Sequence, residues 1–177
     1  MGNALARFRS RKHRRVLLVG LDAAGKTTLL FRLYAGKSLN TIPTVGFNVK
    51  TVPFQGLQLH VWDVGGQEQL REFWRHHFTG TQGLVFVVDA ADRDRLVHAR
   101  AEFERVVADE QLADAAVLVL ANKQDAPGAV QPAELEQLLD IRRLCEHKKW
   151  TVRPTTLTSG DGVTEAFTWL AENMVAL

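Results

Sequence analysis

Cysteine is almost missing from this chain: Cys145 is the one thiol in 177 residues. That excludes an internal disulfide framework and any cysteine-rich zinc site. Long apolar runs are missing too. The longest, Ala115 to Ala121, falls far short of the ~18 residues that a membrane span requires. Histidines at 13, 60, 76, 77, 98 and 147 form no HExxH-like pattern and read as surface or core residues without a zinc role. There is no repeat and no low-complexity linker. The basic start has no apolar stretch of signal-peptide length, which predicts a cytosolic protein. What remains, 46% hydrophobic and 24% charged residues, is the composition of a soluble globular chain. The length suits one domain, which buries roughly 70% of its unfolded surface and needs no staple.

Acidic residues are absent from the first fifteen positions, which hold Arg7, Arg9, Arg11, Lys12, Arg14 and Arg15. The overall charge of +2 therefore divides into +6 there and −4 over the rest. The basicity belongs to a segment, residues 1–15, and not to the body, residues 16–177. This argues against a nucleic-acid-binding body and leaves an anionic membrane or a polyanion for such a segment to serve.

Short β-rich runs alternate with helical patterns, predicting βα units on a mostly parallel sheet. Val16–Val19, Leu84–Val88 and Val117–Leu120 are continuous apolar strands, buried on both faces. Leu96, Ala99, Phe103, Val106 and Val107 recur at helical spacing behind an expected Asp92 cap. Further helices are predicted at Leu135, Leu138 and Leu139 after Pro132, and from Val163 with Ala166, Phe167 and Leu170 as the buried stripe. Segment 47–62 reads as an antiparallel hairpin turning at Gln55-Gly56. In its second strand Leu57, Leu59 and Val61 share one face, and Gln58, His60 and Trp62 the other. Trp62 on the polar side is either a partner contact or a strand end covered by a helix.

Gly20-Leu-Asp-Ala-Ala-Gly25-Lys26-Thr27 satisfies G-x-x-x-x-G-K-[ST] between a strand and a helical run. Gly20 and Gly25 permit the tight turn that aims backbone N–H groups at a phosphate chain. Lys26 supplies a point charge for β- and γ-phosphate oxygens, and the Thr27 hydroxyl a ligand for Mg²⁺. Asn122-Lys123-Gln124-Asp125 ends a buried strand, where open α/β sheets bind ligands. The Asp125 carboxylate can accept from both N1–H and N2–H₂ of guanine, donors that adenine does not present together. In Asp63-Val64-Gly65-Gly66-Gln67, Asp63 suits the Mg²⁺ shell, a glycine amide the γ-phosphate, and Gln67 the orientation of an attacking water. Thr44 offers a second hydroxyl to the metal.

The runs GLDAAGKTT, TIPTVGFNV, WDVGGQE, WRHHF, TQGLVFVVDAADR, ANKQD and TSGDG resemble those of the ADP-ribosylation factor (Arf) and Arf-like small GTPases over essentially the whole chain. The resemblance implies a P-loop NTPase fold of class α/β: a six-stranded, mostly parallel sheet with one antiparallel hairpin strand and helices on both faces. It implies GTP or GDP bound with Mg²⁺ by Gly20, Asp22, Ala23, Ala24, Gly25, Lys26, Thr27, Thr28, Thr44, Asp63, Gly66, Asn122, Lys123, Asp125, Thr156 and Leu157, with Gln67 catalytic. It also implies slow GTP hydrolysis, stimulated by an activating protein, in a monomer reset by an exchange factor. GTP-dependent docking on Golgi or other endomembranes would recruit effectors in vesicle trafficking through Val45, Phe47, Trp62 and His77. Family members slide the hairpin along its neighbour as the nucleotide changes. That slide must be an even number of residues, or Leu57, Leu59 and Val61 would turn outward. Gly65 and Gly66 are expected to supply backbone freedom at its end.

Three positions depart from the family pattern. His77 stands where the aromatic effector surface usually has a tyrosine, and Leu157 where the base-supporting loop has a small alanine. The Leu157 N–H is nonetheless expected to reach the guanine oxygen. The N-terminal segment is short, with Leu5 and Phe8 its bulky apolar residues. Gly2 is the expected myristoylation site although Ala6 replaces the usual Ser/Thr, and the basic run is the second signal that a single acyl chain needs. No arginine is placed in cis at the phosphate; Arg71 and Arg75 are expected to face partners. A P-loop kinase or ATPase is disfavoured by the Asn122–Asp125 run; a GTP-binding adaptor with little turnover is the alternative, which Gln67 argues against and which Leu157 and His77 leave open.

Overall fold

A computed structural model describes residues 12–36 and 42–175. Six strands form one sheet in the order β2-β3-β1-β4-β5-β6. They are β1 (Lys12–Val19), β2 (Phe47–Phe54), β3 (Leu57–Val64), β4 (Gly83–Asp89), β5 (Ala116–Asn122) and β6 (Trp150–Pro154). The β2–β3 pairing is antiparallel and the other four are parallel. The helices are α1 (Lys26–Ala35), α2 (Glu68–Arg71), α3 (Leu96–Val107), α4 (Pro132–Leu138), α5 (Ile141–Leu144) and α6 (Val163–Asn173). None of the described helices is long and apolar enough to cross a membrane.

Alternation along the central strands divides the core in two. In β1, Val16 and Leu18 face a cluster with Leu29 and Leu30 of α1 and Ala166, Phe167 and Leu170 of α6. Leu17 and Val19 face the opposite cluster, with Ala99, Phe103 and Val106 of α3 and Leu135. A strand with helices on both sides must be apolar at every position, hence the continuous runs in β1, β4 and β5. Parallel strands leave their C-terminal ends, and the loops that follow, along one edge of the sheet.

The hairpin folds as its alternation predicts. Leu59 and Val61 are buried, and both turn residues have positive φ, 45° at Gln55 and 81° at Gly56. This primed turn matches the twist of the flanking strands.

Three expectations are revised. β1 begins at Lys12, so the last residues of the basic segment are sheet: Arg14 is buried and Arg15 half-buried. Asp92 does not cap α3; a 3-10 turn, Arg93–Arg95, intervenes, and the Asp92 side chain makes no capping bond. Leu138 is exposed, leaving Leu135 and Leu139 as the buried residues around α4. Residues 1–11, with Gly2, Leu5, Phe8, Arg7, Arg9 and Arg11, lie outside the described residues.

Candidate nucleotide site

A cavity of about 510 Å³ opens at the C-terminal edge of the sheet. It is lined by Asp22, Ala23, Gly25, Lys26, Thr27 and Thr28 of the phosphate loop, by Thr44, by Gly66 and Gln67, and by Asn122, Lys123, Asp125, Thr156 and Leu157. Five chain segments thus converge on one space. Ile42, Pro43, Ala126 and Thr158 also line it, added by loops whose course depends on tertiary packing.

The phosphate loop bends tightly between β1 and α1. Gly25 has φ +114°, and a Cβ there would come 2.5 Å from Asn122 Nδ2, so only glycine fits. Lys26 is buried, and its Nζ donates to the Gly20 and Leu21 carbonyls at 2.9 Å each. Burial lowers its pKa to about 8, against the pull of Asp63 and Asp22. A lysine so desolvated gains from an anion placed beside it. Gly20 and Ala24, expected to touch ligand, do not line the cavity: the Gly20 carbonyl is used within the loop by Lys26, and the Ala24 carbonyl by Asn122 at the end of β5.

Three oxygen-bearing side chains meet beside Lys26. Thr27 Oγ1 donates to Asp63 Oδ2 at 2.6 Å, lies 2.8 Å from Thr44 Oγ1, and Thr44 Oγ1 donates to the same Asp63 oxygen at 3.3 Å. Asp63 is fully buried, and its Oδ1 has no hydrogen-bond partner. Burial pushes this carboxyl above its ordinary range. An orphaned carboxylate oxygen beside two hydroxyls is a hard-donor set that fits Mg²⁺ and leaves room for water ligands. Among the described residues no group of three or more His, Cys, Asp or Glu side chains forms a softer site.

The loop after β3 lies against the phosphate loop. Gly66 O accepts from the Asp22 N–H at 3.0 Å and from Arg71 Nε at 2.9 Å, while Trp74 Nε1 donates to Gly65 O at 2.8 Å. A Cβ on Gly66 would overlap Lys26 Nζ and the Gly20 carbonyl. Neither Gly65 nor Gly66 has positive φ, so glycine is needed here for close approach rather than for freedom at the end of the hairpin. Arg71 does not face outward. It is buried between Gly66 and the Asp22 carboxylate, 3.3 Å from the latter, whereas Arg75 is exposed and pairs with Asp109 at 2.6 Å. Nothing in the spacing of residues 67–75 distinguishes these two arginines; the turn of α2 decides which points inward.

At the far end Asn122 ties loops together. Its Nδ2 donates to Ala24 O at 2.8 Å, and its Oδ1 accepts from the Leu157 N–H at 3.1 Å and from Thr155 Oγ1 at 3.3 Å. The Leu157 amide is therefore engaged by Asn122, in place of the expected open donor for a base. Lys123 adopts φ +64° and pairs with Asp89 at 2.6 Å. Asp125 is exposed on the cavity wall.

A family model for the ADP-ribosylation factor family matches residues 1–174. The chain belongs to the ADP-ribosylation factor family. Among solved structures it is similar to one described as the Arl6 BBS3 small GTPase from Trypanosoma brucei with bound nucleotide analogue GppNp. The identity is 30% over 91% of this chain and 96% of that one, with a TM-score of 0.85. As an Arf-family protein the chain is a small GTPase, a GTP-binding switch with GTP-hydrolysing activity.

The positions expected to form the Arf effector surface gather away from the cavity, on the outer face of β2 and β3. Phe47 stacks on Trp62 with ring centroids 5.2 Å apart, and His77 packs on both at 5.0 and 5.8 Å. Val45 beside them is exposed. Trp62 also packs against the core, and the Arg15 guanidinium covers its ring at 4.0 Å. Arg15 NH2 further donates to the His77 carbonyl at 2.9 Å. Burial, then the nearby Arg15 and His76 charges, lower the His77 pKa.

Proposed function

We propose that this Arf-family chain docks on endomembranes when GTP-bound and recruits effector proteins in vesicle trafficking. It cycles between the cytoplasm and the Golgi or a related membrane through N-myristoyl Gly2 and the basic segment. It acts as a monomer, without nucleic acid, under an exchange factor and an activating protein. In this reading Lys26, Thr28, Ala23 and the Gly66 amide bind the phosphates, and Asp125, Asn122 and Lys123 hold guanine. Thr27, Thr44 and Asp63 hold Mg²⁺, which neutralises charge on the phosphate oxygens when bound. Gln67 orients the attacking water. The nearest buried guanidinium, Arg71, is committed to Asp22 and Gly66. Hydrolysis is therefore slow until a partner supplies a cation, an addition worth ~10³–10⁵ in rate in comparable enzymes.

The observation that carries this reading is the convergence on one cavity of the phosphate loop, of Thr27 and Thr44 with Asp63 bonded to both, and of the Asn122–Asp125 run. Asp125→Asn tests it, because an amide can donate to the oxygen that replaces N2–H₂ in xanthine. The variant is expected to lose GTP affinity and gain XTP affinity in competition binding. Retention of full GTP selectivity would remove Asp125 from the base site.

A further inference from the structure

A carboxylate at the phosphate end of a nucleotide cavity needs explaining, because it repels the ligand it faces. Asp22 lines the cavity beside the phosphate loop, and its N–H donates to the carbonyl of Gly66, which lines it with Gln67. Its charge is not left alone. Arg95 NH2 lies 2.5 Å from Asp22 Oδ1, and Arg95 NH1 donates to the Asp22 carbonyl at 3.2 Å. Arg71 NH2 reaches the same carboxylate oxygen at 3.3 Å while its Nε holds Gly66 O. The Asp22 N–H donates to that Gly66 carbonyl, which closes a ring through the phosphate loop and the Gly66 loop. Burial alone would raise the Asp22 pKa, but the Arg95 and Arg71 charges bring it below the ordinary range. The carboxylate is ionised, and the trio by itself sums to +1, with the Glu102 carboxylate next, 3.9 Å from Arg71 NH1.

We propose that Asp22, Arg71 and Arg95 act together as a charge gauge that sets the preference of the cavity for a nucleoside triphosphate over a diphosphate. The proposal rests on the reading of this cavity as a guanine-nucleotide site. A triphosphate extends one further anionic group toward Asp22, and a diphosphate ends short of it. The charge of the trio therefore weighs on the triphosphate more than on the diphosphate. Arg71 and Arg95 pair with Asp22 without lining the cavity themselves, so removing the carboxylate leaves two uncompensated cations behind its wall, and removing Arg95 leaves the trio balanced. The two changes must shift the triphosphate-to-diphosphate affinity ratio in opposite directions. A merely structural role would loosen both ligands, and in the same direction.

The test compares GppNp and GDP dissociation constants, at fixed Mg²⁺ and salt, for the full-length protein and for Asp22→Asn, Arg95→Gln and the double variant. Asp22→Asn is expected to raise the GppNp:GDP affinity ratio about fivefold and Arg95→Gln to lower it about fivefold, the scale of one unit charge acting through partly solvated protein. The double variant should return near the starting ratio. Shifts of the same sign, or an unchanged ratio in Asp22→Asn, would overturn the gauge. Asp22→Asn is isosteric, so it decides the matter even if Arg95→Gln fails to fold. A parent protein that binds neither nucleotide defeats the site reading and the gauge together. Binding of both with unmoved ratios defeats the gauge alone.

Discussion

Leu157 shows at the residue scale why one departure from the family pattern is structural as well as functional. Its side chain is 1% exposed, in the cluster shared by α1 and α6, and it backs the turn at Gly25. Leu157→Ala is expected to cost ~2–4 kcal/mol in urea unfolding, because the cavity sits between elements that cannot both collapse into it. Nucleotide release should quicken as the Gly25 turn loses its backing. His77, the other departure, makes a pH prediction. Its folded-state pKa lies below that of an unfolded histidine, so below pH ~6.5 the unfolded chain takes up the proton first. The stability it contributes is complete above that pH and is lost as pH falls toward the folded pKa. His77→Tyr should therefore show a smaller fall in Tm than the parent between pH 7 and pH 5. A parallel fall in the two proteins would place the titration elsewhere. Residue identities were legible where chemistry dictates a type at a spacing, as at Lys26, Thr27 and Asp125. They were not legible where the answer is a direction, as with buried Arg71 against exposed Arg75.

At the scale of elements, the register of β3 on β1 is the feature that function tests most directly. Arg15 stands opposite His60 and Val16 opposite Val61 in the parallel ladder. A shift of two residues keeps Leu59 and Val61 inward, whereas a shift of one exposes them. Paired cysteines at 15 and 60 should freeze the present register. Cys145 is buried and its pKa raised to about 11, so it will not compete for the new thiols. If the hairpin moves with the nucleotide, oxidised Arg15→Cys/His60→Cys protein will retain one of GDP and GppNp and lose affinity for the other, and reduction will restore both. Equal binding in the oxidised and reduced forms would show a static hairpin. Strands β4 and β5, the hairpin and the amphipathic helices were readable from the period of their apolar residues. Helix α5 has four residues, and the Arg93–Arg95 turn three, too few for a period to register, and both depend on neighbours for their shape. Lys12–Arg15 read as a charged segment because three of those four residues are cationic, yet pairing with β3 draws them into the sheet.

For the whole molecule, that extension of β1 changes how charge is available to a membrane. Of the six cations in residues 1–15, Arg14 is buried and Arg15 rests on Trp62, so in the proposed docking the attraction to anionic lipid falls to Arg7, Arg9, Arg11 and exposed Lys12. Each is worth ~1 kcal/mol at such a surface and is screened within ~8 Å at physiological salt. In flotation of acylated, GTP-loaded protein, binding to anionic vesicles should exceed that to neutral ones and fall as salt rises. Replacing Arg7, Arg9 and Arg11 with glutamine should flatten the salt dependence, and Arg15→Gln should leave it unchanged. Binding equal on both lipids and flat with salt would assign docking to apolar insertion alone. Asn122 carries a consequence of another kind. One side-chain amide fastens the phosphate loop, 98 residues before it, to the base loop, 35 residues after it. Loops that share a fastener do not open one at a time. With the phosphates and base seated as proposed, prying at one is expected to slacken the grip on the other, so that nucleotide release follows a single exponential rather than stages.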